Sequence, residues 1–141
     1  MKKIMFIGRT GCGKTSLTQA LHGQKMSYLK TQAVKYCGTV VDTPGEFVEN
    51  RRFYSALQVS ASKADIIGLV HDATCTNSVF PPKFGAMFRK KIIGIISKSD
   101  LEQGDAERSA KFLKMAGAAH ILKTSAVDKT GIQDLVDLLA D

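Results

Sequence analysis

The sequence predicts an α/β fold, a three-layer sandwich with helices on both faces of a mainly parallel five-stranded sheet. Three observations predict it. Five short apolar runs rich in β-branched residues recur along the chain, at Lys3–Gly8, Gly38–Asp42, Asp65–His71, Lys91–Ser97 and Ala119–Lys123. Most are continuous rather than alternating, the mark of strands buried on both faces, as in a parallel sheet. Helical patterns lie between them, and alternating strands and helices pack as right-handed crossovers over a parallel sheet.

The elements follow in order. After the first run, Thr15–His22 carries Leu17, Ala20 and Leu21 on one side, as a helix lying on a sheet does. Glu46–Lys63 is a longer mixed segment of helical character. Thr74–Lys90 is irregular, broken by Pro81-Pro82, and is expected to be a loop with at most a short helix after Pro82. Phe80, Phe84, Met87 and Phe88 within it are expected to close the core. Asp105–Ala116 sets Ala106, Ala110, Leu113 and Ala116 on one stripe, with Gly117 placed as a C-terminal cap. Thr130-Gly131-Ile132-Gln133 fits a capping box, and Ile132, Leu135, Val136 and Leu139 follow at helical spacing.

A chain of 141 residues suits one domain, here 1–141. Hydrophobic residues make up 44% and charged residues 23%, ordinary for a globular protein. The net charge of +7 is spread along the chain, and the longest basic run is Arg89-Lys90-Lys91. It reads as a solvated basic surface with an anion site rather than a nucleic-acid face. Cys12, Cys37 and Cys75 show no metal spacing and imply a reducing, cytoplasmic setting. The first strand-like run starts at Lys3, so no signal peptide is expected ahead of it, and no apolar stretch in the sequence is long enough to span a membrane.

The chemistry lies at the strand ends, where ligands of such sheets bind. Gly8-Arg9-Thr10-Gly11-Cys12-Gly13-Lys14-Thr15 matches G-x-x-x-x-G-K-[ST] between a strand and a helix. Glycines let the backbone wrap so that its N–H groups, together with the helix N-terminus, face phosphate oxygens. Lys14 is expected to reach the β- and γ-phosphates and the Thr15 hydroxyl to ligate Mg²⁺, with Thr10 and Ser16 counted among the nucleotide-binding residues of the loop. Cys12 reads as a small loop residue. The second run ends in Asp42-Thr43-Pro44-Gly45. Asp42 there would hold Mg²⁺ through water, and the Gly45 N–H would meet the γ-phosphate. Thr31, in Lys30-Thr31-Gln32, is the candidate switch threonine, whose hydroxyl would join Mg²⁺ in the triphosphate state.

Base choice falls to the last two strand ends. In Ser97-Lys98-Ser99-Asp100, a carboxylate at Asp100 accepts from N1–H and N2–H of guanine, a pair that adenine lacks, while the Lys98 stem lies along the base plane. In Thr124-Ser125-Ala126, the Ala126 N–H would meet guanine O6. His71-Asp72 reads as a turn with a capping acid, and His120 as a packed strand residue. Arg51 and Arg52 read as a solvated helix face.

With these motifs in order, the chain resembles a translation-factor-related small GTPase, a P-loop NTPase of G-domain type. More narrowly it resembles the EutP/PduV family of ethanolamine- and propanediol-utilisation proteins. The resemblance rests on G-R-T-G-C-G-K-T-S-L, on Tyr28 with Lys30-Thr31-Gln32-Ala33-Val34, and on Val41-Asp42-Thr43-Pro44-Gly45-Glu46. Only 26 residues separate Thr15 from Asp42, against a longer gap in most small GTPases, so the switch I region looks shortened. The resemblance implies a cytoplasmic protein linked to bacterial microcompartments, with shell or pathway proteins as partners.

Two positions depart from the small-GTPase pattern. Ser97 stands where asparagine or threonine is usual, and Glu46 where many GTPases place a water-orienting glutamine. Slow intrinsic GTP turnover, or turnover that depends on a partner, is therefore expected. Two alternatives stay open. One is phosphoryl transfer to a small acceptor such as acetate, from ATP or GTP, since some family members are associated with acetate kinase activity. Arg9, Arg51 and Arg52 are then the candidate acceptor cations. The other is a nucleotide-stabilised, shell-associated structural protein.

Overall fold

The computed structural model describes residues 2–9, 11–28, 40–42, 48, 50–99, 104–125 and 130–139. The apolar runs form strands β1 (Ile4–Ile7), β2 (Val40–Asp42), β3 (Ile66–Asp72), β4 (Lys91–Ser97) and β5 (His120–Lys123). They make one sheet in the order β2-β1-β3-β4-β5, and every adjacent pair is parallel. Parallel neighbours need crossover segments long enough to return over a face. Those segments hold α1 (Lys14–Tyr28), α2 (Tyr54–Ala61) and α3 (Ala106–Met115), and α4 (Ile132–Leu139) follows β5.

Alternation along the strands divides the core into two layers. Ile4 and Phe6 of β1, Ile66 and Val70 of β3, and Ile93 and Ile95 of β4 pack with Leu17 and Leu21 of α1 and with Ile132, Leu135, Val136 and Leu139 of α4. Met5, Ile7, Ile67, Leu69, Ile92 and Ile96 point to the opposite face, against Leu57 and Ala61 of α2 and Leu113 of α3. All four β1 side chains are fully buried. Burial of such side chains stabilises the fold by roughly 1.5–3 kcal/mol each. The strands read as unbroken apolar runs because helices cover both faces of the sheet.

The Pro81-Pro82 segment closes the second layer as expected. A short 3-10 turn, Phe84–Phe88, follows Lys83. The Phe84 ring meets Tyr54 edge-on at 5.2 Å and Phe88 at 5.5 Å, while Phe80 and Phe88 are buried beside it. The N–H groups of Lys83 and Gly85 donate to the carbonyls of Met115 and Ala116, each at 2.7 Å, so the segment also satisfies the end of α3.

Helix α3 has both expected ends. The Asp105 carboxylate accepts from the Arg108 N–H at 2.9 Å. Gly117 takes φ 107°, its N–H donates to Lys114 O, and the Ala118 N–H donates to Leu113 O, each at 3.0 Å. That pair of bonds is a Schellman ending.

Three expectations need correction. α1 runs through Gly23 to Tyr28 rather than stopping at His22, because one helical glycine costs only about 1 kcal/mol and does not by itself end a helix. Within Glu46–Lys63, a 3-10 turn at Arg51–Phe53 precedes α2, which ends at Ala61. The Asn50 side chain accepts from the Arg52 N–H at 3.1 Å and starts that turn. His120 is exposed rather than packed, because β5 is an edge strand. Arg51 and Arg52 are exposed, as expected.

Candidate nucleotide site

Strand order reverses at β1, whose neighbours β2 and β3 lie on opposite sides. A crevice opens beyond the carboxyl ends of strands at such a point, and Gly8–Gly13 leaves β1 there to enter α1. Gly8 is the tightest position. A Cβ at Gly8 would stand 2.6 Å from Cys12 Sγ and 2.8 Å from Val70 O, so only glycine lets the chain turn against β3. Gly11 and Gly13 take φ 83° and 99°, values that L side chains rarely adopt.

The loop encloses an open cavity of about 300 Å³ lined by Gly11, Cys12, Gly13, Lys14, Thr15, Ser16 and Lys98. Lys14 is buried and its ammonium donates to Gly8 O at 2.7 Å, spanning the loop. Thr15 and Ser16 are exposed at the first turn of α1, where helix N–H groups lack intrahelical acceptors. Amides, a cation and hydroxyls around a cavity of this size fit a polyphosphate. Thr15 fits as one oxygen ligand of Mg²⁺.

The end of β4 is tied to this loop. Ser97 Oγ, at the end of β4, donates to Cys12 O. The Lys98 ammonium donates to Gly11 O and to an Asp72 carboxylate oxygen, each at 2.9 Å. Lys98 itself takes φ 57°. Two consecutive β4-end residues thus hang on two consecutive loop carbonyls. β5 is tied in as well, because the N–H and hydroxyl of Ser99 both donate to Thr124 O, at 3.1 and 2.9 Å. Ser125 is fully buried and its N–H donates to Thr130 O at 3.0 Å.

Charged and titratable groups behind the loop have defined states. Burial pushes the Cys12 thiol up, and nearby Lys14 and Lys98 offset this only in part, so Cys12 is a protonated packing residue. Burial lowers the His71 pKa, leaving a neutral imidazole beside Cys75 O at 3.3 Å, with its ring edge-on to Phe112. For Asp72, burial raises the pKa but the Thr74 and Lys98 hydrogen bonds overcome it, and the net shift is downward. Arg9 is exposed at the loop and donates to Cys75 Sγ at 3.4 Å.

Gly11, Cys12, Gly13, Lys14, Thr15 and Ser16 therefore line one cavity with Lys98, Gly8 meets the Lys14 ammonium at the start of the loop, Arg9 follows it on the loop, and Ser125 lies at the neighbouring strand end. Thr10, Thr31, Gly45, Glu46, Asp100 and Ala126 lie outside the described residues, and for Asp42 only its place in β2 is described. Sequence reasoning gave Asp72 a capping role and missed its pairing with Lys98. No local sequence signal pairs them; the parallel register that sets Asp72 opposite Ser97 brings them together.

A parallel α/β sheet with this loop at its reversal point is consistent with the P-loop NTPases. The chain belongs to the PduV-EutP family, described as ethanolamine utilisation - propanediol utilisation, whose profile matches residues 1–141. It is 44% identical over 136 residues to the propanediol utilization protein PduV of Citrobacter freundii, covering 96% of this chain and 91% of that protein. It is 35% identical over 143 residues to "Probable acetate kinase EutP" of Escherichia coli strain K12, covering 99% of this chain and 90% of that protein. GTPase Der of Mycoplasma mycoides subsp. mycoides SC is 28% identical over 175 residues, which cover 99% of this chain and 39% of that protein. No helix among the described residues is long and apolar enough to cross a membrane.

Proposed function

We propose that this protein binds a guanine nucleotide with Mg²⁺ and hydrolyses GTP slowly, as a single-domain accessory of ethanolamine or propanediol utilisation associated with a microcompartment. The observation that carries the reading is the double tether of Ser97 and Lys98 to Cys12 O and Gly11 O. A base-reading strand end fixed to a phosphate loop suits a ligand that has both a base and phosphates. Ser97, unusual at its position, still makes the tether. Lys14 and Mg²⁺ held by Thr15, Asp42 and Thr31 would stabilise charge on the phosphates, and the Gly45 N–H would follow the γ-phosphate. Asp100 and the Ala126 N–H would select guanine.

Affinities for GDP, GTP, ADP and ATP with Mg²⁺, on wild type and Asp100→Asn, test it. Guanine preference of at least tenfold that collapses in the variant is the expected result. Equal or better adenine binding overturns it. The name "Probable acetate kinase" carried by 35% identical relatives favours a second reading, γ-phosphoryl transfer to acetate. Arg9, exposed at the loop, is the cation best placed to hold the acceptor carboxylate. Acetyl phosphate formed from acetate and ATP or GTP supports that reading, and turnover unaffected by acetate opposes it.

A further inference from the structure

We propose that Asp72 is a positioning residue for the nucleoside end of the site, holding Lys98 where its stem can flank a base. The inference rests on the nucleotide reading above and deepens it. Lys98 sits at the end of β4 in a left-handed backbone conformation, φ 57°, which is uncommon for a residue with a Cβ. Something must hold it there. Its ammonium has two acceptors at 2.9 Å, Gly11 O on the phosphate loop and Asp72 Oδ2 at the end of β3.

The carboxylate is itself held fast. Asp72 Oδ1 accepts from the Thr74 N–H at 2.9 Å and the Thr74 hydroxyl at 2.7 Å. The two oxygens therefore divide their work, one closing the turn and the other facing Lys98. The Asp72 side chain is 16% exposed and that of Lys98 39%, so the pair is only partly screened by solvent. Of Lys98's two acceptors among the described residues, only Asp72 carries charge. It opposes collapse of the ammonium into the phosphate cavity that Lys98 helps to line, where an incoming polyphosphate would otherwise attract it. The stem is thereby kept extended across the site for apolar contact with a planar base.

Asp72→Asn separates this role from the turn. The amide oxygen still accepts from Thr74, while its NH₂ faces the ammonium, donor to donor. Calorimetry with Mg²⁺ would compare GDP, ADP and inorganic pyrophosphate on wild type, Asp72→Asn, Lys98→Ala, the double variant and Thr74→Val. Asp72→Asn should lower GDP affinity about tenfold and pyrophosphate affinity less than about twofold. Its effect on GDP should vanish in the Lys98→Ala background. Thr74→Val, which alters the turn but keeps the ion pair, should leave the ratio of GDP to pyrophosphate affinity unchanged.

Equal losses for GDP and pyrophosphate, additive effects of the Asp72 and Lys98 variants, or a Thr74→Val loss equal to that of Asp72→Asn would each overturn the proposal. The guanine reading has its own marker. Wild type that binds ADP as well as GDP overturns that reading, and the Asp72–Lys98 coupling is then read on ADP, where its presence supports the proposal and its absence overturns it. If Asp72→Asn does not fold, Thr74→Val and Lys98→Ala decide. The ratio must fall in Lys98→Ala and hold in Thr74→Val for the proposal to stand.

Discussion

One hydroxyl, that of Ser97, fastens the phosphate loop to the sheet. Its Oγ donates to Cys12 O, inside a protein region where both residues are buried. Ser97→Ala leaves that carbonyl without this donor in a place water reaches poorly, at a cost of about 1–2 kcal/mol. The expected outcome is a lower urea midpoint together with nucleotide affinity several-fold weaker, and unchanged affinity would mean the loop keeps its shape untethered. His71 gives a pH signature. Its folded-state pKa lies below 6.5 because burial disfavours the charged ring. Below pH 6.5 the unfolded chain takes up a proton that the folded chain resists, so this stabilisation is complete above pH 6.5 and is lost as pH falls through the window down to the folded value. His71→Phe keeps a ring against Phe112 and removes the titration. Stability measured against pH should then decline less steeply just below pH 6.5, and an identical slope would assign that limb to other groups.

Among the elements, α3 shows how much of the fold was legible. Asp105, the Ala106–Leu113 stripe and Gly117 mark its start, its face and its end, since caps and periodicity are local signals. Gly117→Ala should cost roughly 1–2 kcal/mol. Its Cβ would meet nothing nearer than 3.7 Å, so the loss is conformational. Unfolding in urea should show a lower midpoint at unchanged m-value. β1, β3 and β4 were equally legible, because burial on both faces leaves an unbroken apolar run. The 3-10 turn at Arg51–Phe53 ahead of α2 was not, because the Asn50 side chain that accepts from the Arg52 N–H caps it and no periodicity announces it. Nor was the Lys98–Asp72 pair. It depends on the register Asp72↔Ser97, a fact about sheet alignment that neither residue's neighbours encode. The loop residues of the site were named from a motif whose spacing is local. The contacts that brace them come from distant strand ends, which only the sheet order brings together.

For the whole molecule, a ligand seated on the ends of several strands should act as a fastener. At a concentration 100 times its dissociation constant, Mg²⁺·GDP should add about 2.7 kcal/mol to the folded state and raise the melting midpoint by roughly 6–10 °C. Chelating Mg²⁺ should remove part of that rise, whereas a melting curve insensitive to chelator would count against a metal-assisted phosphate site. The sheet order has a further consequence, for the order of events during synthesis. β1 lies between β2 and β3, so Ile4–Ile7 has no partner strand until Val40–Asp42 and then Ile66–Asp72 have been made. Until then its four core side chains have no sheet to enter, and the growing chain carries an uncovered apolar segment of the kind that chaperones shelter. A nucleotide bound as proposed would offer no early rescue. The loop leaving β1 gains its tethers only when Ser97 and Lys98 have been made and docked. Nucleotide capture by ribosome-bound chains should therefore begin abruptly after β4 has cleared the exit tunnel, rather than grow with length from the moment the phosphate loop appears.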